Sequence, residues 1–116
     1  MSRKSKANDE MANYIIDELA SNEPITTRPM FGALALYRNG HVFAMAWEGS
    51  LYFKVDETTH KDYEAANSHA LEYISRGEQH SLKSFWEVPA DVIEDEETLR
   101  KWANKAYEAA MKSAKH

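Results

Sequence analysis

Apolar side chains at Met11, Tyr14, Ile15 and Leu19 return at steps of three and four residues, a spacing that lines one face of a helix and predicts a helix over 8–20. Ser21-Asn22-Glu23-Pro24 ends it, because a proline disfavours the helical conformation at the preceding residue, and Ser and Asn favour turns. From Phe31 onward the period changes to two. Asn39-Gly40 is the strongest local signal in the chain, since both residues accept the positive φ angles of a type I′ hairpin turn. A second turn at Glu48-Gly49 extends the hairpin into a three-strand meander over 31–55.

With a two-residue first turn, Arg38 faces His41, Tyr37 faces Val42, Leu36 faces Phe43, Ala35 faces Ala44 and Leu34 faces Met45. The second turn pairs Ala46 with Leu51, Ala44 with Phe53 and Val42 with Val55. One face then carries Ala33, Ala35, Ala44, Ala46, Leu51, Phe53 and Val55, a shallow floor on which helices can lie. The other carries Leu34, Leu36, Phe43, Met45, Trp47 and Tyr52, broken by Lys54, and is more apolar than a solvated sheet face. Either a later helix or strand of the chain covers that bulky face, or a second copy or another partner does.

Residues 58–67 read as a short helix with Thr58 or Thr59 as its cap and Tyr63 and Ala66 inward. The aromatic and β-branched residues of 71–75 and 83–88 predict two further strands, joined by a polar loop over 76–81. Pro89 opens a single helical turn through Ile93. Asp95 is a plausible N-cap for a last helix whose stripe is Leu99, Trp102, Ala103, Ala106, Ala110 and Met111, with acids at its start and Lys112 and Lys115 at its end, as the helix dipole favours. The order helix, three strands, helix, two strands, helix predicts a two-layer α+β fold with an antiparallel five-stranded sheet. No linker or repeat interrupts it, so residues 1–116 form one domain with an ordered core over about 8–112.

A chain of 116 residues that is 43% hydrophobic and 28% charged can bury a continuous core without staples. It contains no cysteine, which excludes a disulfide scaffold, a thiolate metal site and a Cys nucleophile, and fits a cytoplasmic protein. No stretch approaches the roughly 20 apolar residues of a membrane span, and the polar first dozen residues lack a signal-peptide core. The net charge of −5 opposes nucleic-acid binding by the molecule as a whole. Only a small basic tip at Arg3, Lys4 and Lys6, with Arg28 and Arg38, points the other way.

Catalytic chemistry finds no assembly of residues in the sequence. No Ser stands between glycines at a strand-to-helix turn, and the four glycines are too scattered for a phosphate-binding loop. The five histidines form no two-His metal pattern; His60 and Glu64, four apart, read as a solvated helical pair. Glu94-Asp95-Glu96-Glu97 reads as acids crowding a helix start. Catalytic, metal and cofactor residues are therefore assigned to none. Trp86 and Trp102 fall on faces that should be buried, whereas Trp47 ends a strand on the bulky face, where it can anchor a partner.

The string RPMFGALALYRNGHVFAMAWEGSLYFKVDE, together with the closing FWEVPADVIEDEETLRKWANKA, resembles the amino-terminal domain of the TfoX/Sxy competence-regulator family over about residues 11–110. Ala33 and Ala35 stand where glycine is common in that family. The resemblance implies a secretion-chaperone-like α/β topology. It also implies a regulatory role, since full-length relatives control DNA-uptake competence genes together with a transcription factor, and it brings no established catalytic residues. Arg28-Pro29-Met30-Phe31-Gly32 is then architectural, with Pro29 stiffening the chain, Met30 and Phe31 anchoring it and Gly32 allowing close packing.

Two functional expectations result. The first is a non-enzymatic protein-interaction module that uses Leu34, Phe43, Met45, Trp47 and Tyr52 toward a second copy of itself or toward a partner such as a transcription factor. The second is direct nucleic-acid binding through Arg3, Lys4, Lys6, Arg28 and Arg38.

Overall fold

The computed structural model describes residues 3–19, 24–30 and 32–114, with the side chains of 3–5, 75 and 114 outside that description. The elements are α1 (Arg3–Leu19), β1 (Ile25–Met30), β2 (Ala33–Arg38), β3 (His41–Trp47), β4 (Ser50–Lys54), α2 (His60–Ala65), β5 (Ala70–Ser75), β6 (Glu78–Glu87), α3 (Ala90–Glu94) and α4 (Glu96–Ala114). The α+β class and the antiparallel sheet are as expected, but the sheet has six strands, in the order β1-β2-β3-β4-β6-β5.

The extra strand is β1, which pairs antiparallel with β2 from Ile25–Arg38 to Met30–Ala33. Its polar Thr-Thr-Arg-Pro run looks like a lead-in. An edge strand tolerates both exposure and a proline, because one side of its ladder needs no donor. Met30 is half-buried, and Phe31 lies outside the described residues. Gly32 has φ +87°, and a Cβ there would meet its nearest neighbour, Trp47 Nε1, at an ordinary 3.8 Å. Its glycine thus answers a backbone conformation rather than the tight packing expected.

The register of β2 against β3 also differs. Arg38–His41 and Tyr37–Val42 pair as expected, but a bulge follows, so that Leu36 pairs with Ala44, Ala35 with Met45 and Leu34 with Ala46. Phe43 is the extra residue. A shift of one residue sends every side chain beyond it to the opposite face. Leu34 and Leu36 consequently join the helix-covered side, while Ala35 joins the other. The β3–β4 register holds, with Ala46 opposite Leu51 and Ala44 opposite Phe53.

Helices α1 and α4 cover the first face. Ala12, Ile15, Leu36, Phe43, Phe53 and Leu99 are buried there, and Ala103, Ala106 and Ala110 let α4 lie close to the strands. On α1 the buried stripe includes Ala12 rather than Tyr14, which is 42% exposed and donates its hydroxyl to the Ile93 carbonyl at 3.4 Å. Tyr63 of α2 meets Trp102 edge-on at 4.7 Å between centroids. Ahead of α2, the Asp56 carboxylate accepts from the Thr58 and Thr59 N–H groups and the Thr58 hydroxyl, and takes Lys112 Nζ at 3.2 Å. Burial works against its charge, but these bonds outweigh that cost and hold its pKa well below the usual carboxylate range. No side-chain hydrogen bond comes from the expected cap, Thr59, to the start of α2.

Among the described residues no helix packs into the cluster on the second face, which the chain's own β5–β6 hairpin covers. The loop expected over 76–81 shrinks to a two-residue turn at Arg76 (φ +56°) and Gly77 (φ +78°). This lengthens β6 to ten residues. Ala70 pairs with Trp86, yet the next residue, Leu71, pairs with Leu82. Lys83, Ser84 and Phe85 are thereby left without partners on β5, although Phe85 pairs with Lys54 of β4. That irregularity bends the hairpin, and Leu71, Tyr73, Leu82 and Phe85 pack in one cluster with Ala35, Met45 and Tyr52.

Candidate interaction site

Where the folded-back hairpin meets the β3–β4 turn, it leaves an open groove of about 440 Å³ lined by Trp47, Glu48, Glu72, Tyr73, Ile74 and Gln79. Each wall has a local cause. Trp47 is the last residue of β3, opposite Ser50, and its indole lies against Gly32. Asn8 of α1 steadies that corner by donating Nδ2 to the Gly32 carbonyl at 3.0 Å. On the other wall, Tyr73 stacks on His80 with centroids 5.3 Å apart, and Glu72 accepts the Gln79 side-chain amide. Ile74 is 75% exposed, which is unusual for a β-branched apolar residue beside an aromatic wall.

The groove is acidic as well as aromatic. Below it, Tyr52 is buried, and its phenol is pushed up to about 12, first by burial and then by the carboxylates of Glu87, Glu48 and Glu72. Glu48 and Glu72 line the groove, whereas Glu87, opposite Tyr52 on β6, meets His69. Lys54 sits farther along, its Nζ 5.0 Å from the Phe85 ring centroid, with its pKa lowered by burial.

The sequence model of the TfoX N-terminal domain matches residues 17–110. The chain belongs to that family. No curated protein matches it.

The residues expected at the interface separate within this TfoX N-terminal domain. Met45, Trp47 and Tyr52 share the second face, but Met45 and Tyr52 are 2% and 5% exposed, so only half-buried Trp47 is available at the groove. Leu34 and Phe43 do not belong with them. The bulge turns Leu34 toward the helices, and Phe43 is buried beneath them. Glu72, Tyr73 and Ile74, which line the groove, were not among those candidates; their signal in the sequence is an apolar residue on the polar side of the alternating strand Leu-Glu-Tyr-Ile.

The basic candidates do not converge either. Arg38 donates Nη1 to Asn104 Oδ1 at 3.2 Å and lies 4.5 Å from the Tyr107 ring centroid, while Asn39 donates Nδ2 to the Tyr107 hydroxyl at 3.3 Å. Together they pin the β2–β3 turn to α4. Arg28 is exposed on β1 with its guanidinium 5.9 Å from the Tyr37 ring centroid, and Lys6 is exposed on α1. The side chains of Arg3 and Lys4 lie outside the described residues.

Of the other polar groups singled out in this TfoX N-terminal domain, His60 contacts Glu64 at 3.1 Å across one helical turn. Among the described residues no three His, Asp or Glu side chains gather into a metal set. In the acidic run, Glu96 and Glu97 face Arg100 and Lys101 one turn on, at 2.6 and 3.6 Å, and Asp95 accepts from the Thr98 hydroxyl at 2.5 Å. A second hollow of about 460 Å³ opens between Met11, Leu51, Asn67 and Pro89. On its rim Ser68 donates to the Glu87 carbonyl at 2.5 Å, and the Glu87 carboxylate meets His69 at 3.0 Å. No helix among the described residues is long and apolar enough to cross a membrane.

Proposed function

We propose that this chain is a non-enzymatic protein-interaction module of a cytoplasmic regulatory system, binding a protein partner at the rim of its second sheet face. The observation that carries this reading is Ile74, 75% exposed on the wall of a groove that also presents Trp47 and Tyr73. An apolar residue and an aromatic anchor at an open sheet rim form the kind of surface that protein contacts desolvate. Family membership supports a role in transcriptional control of the sort the competence regulators perform, with a transcription factor as the class of partner.

A photo-crosslinking amino acid at position 74, with position 108 on the exposed side of α4 as control, tests the reading in native lysate. Discrete protein adducts at 74 and none at 108 are expected; an adduct at twice the chain mass identifies the partner as a second copy. Equal labelling at both positions, or none at 74, contradicts the reading. Direct nucleic-acid binding through Lys6, Arg28 and Arg38 has less support, because Arg38 is occupied with α4 and the net charge is −5. Affinity for duplex DNA that falls steeply with salt would be its mark.

A further inference from the structure

We infer that a hollow at the His41 end of β3 binds a small oxyanion of the phosphate type, held by Lys54 and His41. It lies at the opposite end of that strand from the groove at Trp47 and is independent of the contact proposed there.

The hollow, of about 210 Å³, gathers Tyr37 of β2, His41 of β3, Lys54 of β4 and Ser113 of α4. Its size lies below the roughly 300–1,000 Å³ of sites for drug-sized ligands, which restricts the occupant to a few atoms. No Asp or Glu stands among its lining residues, although acids outnumber bases 19 to 14 in the chain. Every polar side chain on its wall can donate. Among the described residues, the Tyr37 and Ser113 hydroxyls, the His41 ring nitrogens and Lys54 Nζ have no hydrogen-bond or ion-pair partner in the protein. His41 is oriented by its T-shaped contact with Tyr107, with ring centroids 6.1 Å apart. Several donors around one small space suit an anion with several oxygens.

Lys54 decides the sign of the ligand. It is half-buried, with Nζ 5.0 Å from the Phe85 ring centroid. Burial lowers its pKa, and no carboxylate offsets that cost. A cation that has lost water without gaining a counter-ion is stabilised by an anion that enters beside it. The negative end of the α4 dipole lies on the Ser113 side, so the anion is seated against Lys54 and His41. Arg28, its guanidinium 5.9 Å from the Tyr37 ring centroid, adds a positive charge beside the Tyr37 wall.

The probe is inorganic phosphate, titrated at fixed ionic strength into the isotopically labelled full chain, with acetate as the single-carboxylate comparison. The expected result is saturable shifts of Gly40, His41 and Lys54, with acetate bound about tenfold or more weakly. Lys54→Met keeps most of the stem and removes the charge, and should weaken phosphate binding about tenfold or more. His41→Gln should weaken it as well, whereas Lys6→Met, on the exposed side of α1, should leave it unchanged. Shifts centred elsewhere, an equal response to acetate, or no saturable response overturns the inference. So does unchanged phosphate affinity in a folded Lys54→Met; should that variant not fold, unchanged affinity in His41→Gln has the same force.

Discussion

The two faces of the sheet solve the same problem by different means. On one, α1 and α4 lay continuous apolar stripes over Leu36, Phe43 and Phe53, and the seam is filled by Ile15, Leu99 and small alanines. On the other, a bent hairpin covers Ala35, Met45 and Tyr52 but leaves Trp47 half-buried and Ile74 exposed at its margin. A long helix buries a stripe along its whole length. A two-stranded flap can bury only the part of the face beneath it, and its outer strand necessarily brings an open edge. The helix-covered face is therefore the stabilising one, and the hairpin-covered face leaves the open rim at which we propose the contact surface.

Truncation should separate the faces most sharply. Phe43→Ala, on the helix side, is expected to lower unfolding free energy by about 3–5 kcal/mol, because a fully buried ring leaves a cavity. Ile74→Asp, on the rim, should change it by no more than about 0.5 kcal/mol. Urea denaturation of both variants checks this, and similar losses for the two would erase the distinction.

A smaller loss is expected where the helix layer is tied down. Asp56→Ala should cost about 1–2 kcal/mol, since it removes the acceptor for the Thr58 and Thr59 N–H groups and for Lys112. The folded-state pKa of Asp56 lies below its unfolded value of about 3.9. Its ionic contribution is thus complete above about pH 4 and declines as pH falls through the depressed folded value. The stability gap between the wild type and Asp56→Asn should narrow on acidification over that window. A gap that instead widens below pH 4 would contradict the assignment.

The least perturbing probe reads the acidic rim without touching stability at neutral pH. Tyr52 should ionise near 12 in an ultraviolet titration of the folded chain. Tyr63, buried beside Asp62, is shifted in the same direction. Glu48→Gln or Glu72→Gln should lower the Tyr52 transition and leave that of Tyr63 in place.

Much of this architecture was legible in the sequence because it is written in local chemistry. Asn39, Gly40 and Gly49 mark their turns as residues that accept positive φ, and the alanine-rich stripe of the last helix marks a close-packed face. The failures have physical causes too. A bulge at Phe43 adds no sequence signal of its own, because Leu-Tyr-Arg and His-Val-Phe satisfy either register locally; only the competition between Leu36 and Ala35 for the helix-covered side decides it. β1 hid behind polar residues that an edge strand tolerates. Arg76-Gly77 is a weaker turn signal than Asn-Gly, so the hairpin looked like two short strands and a loop. With that hairpin unrecognised, the bulky face seemed more open than it is: of Leu34, Phe43, Met45, Trp47 and Tyr52, the structure buries Phe43, Met45 and Tyr52 and packs Leu34 toward the helices.

The claim that the hairpin-covered face ends in an open strand edge is tested most directly by residue-resolved amide hydrogen exchange on the free chain. Along β5 every second amide should be protected by β6, and the intervening ones should exchange at near-solvent rates, while interior strands β3 and β4 are protected throughout. Uniform protection along β5 would show that another strand already occupies its edge, and no protection at all would show that the hairpin does not form; either result contradicts the account.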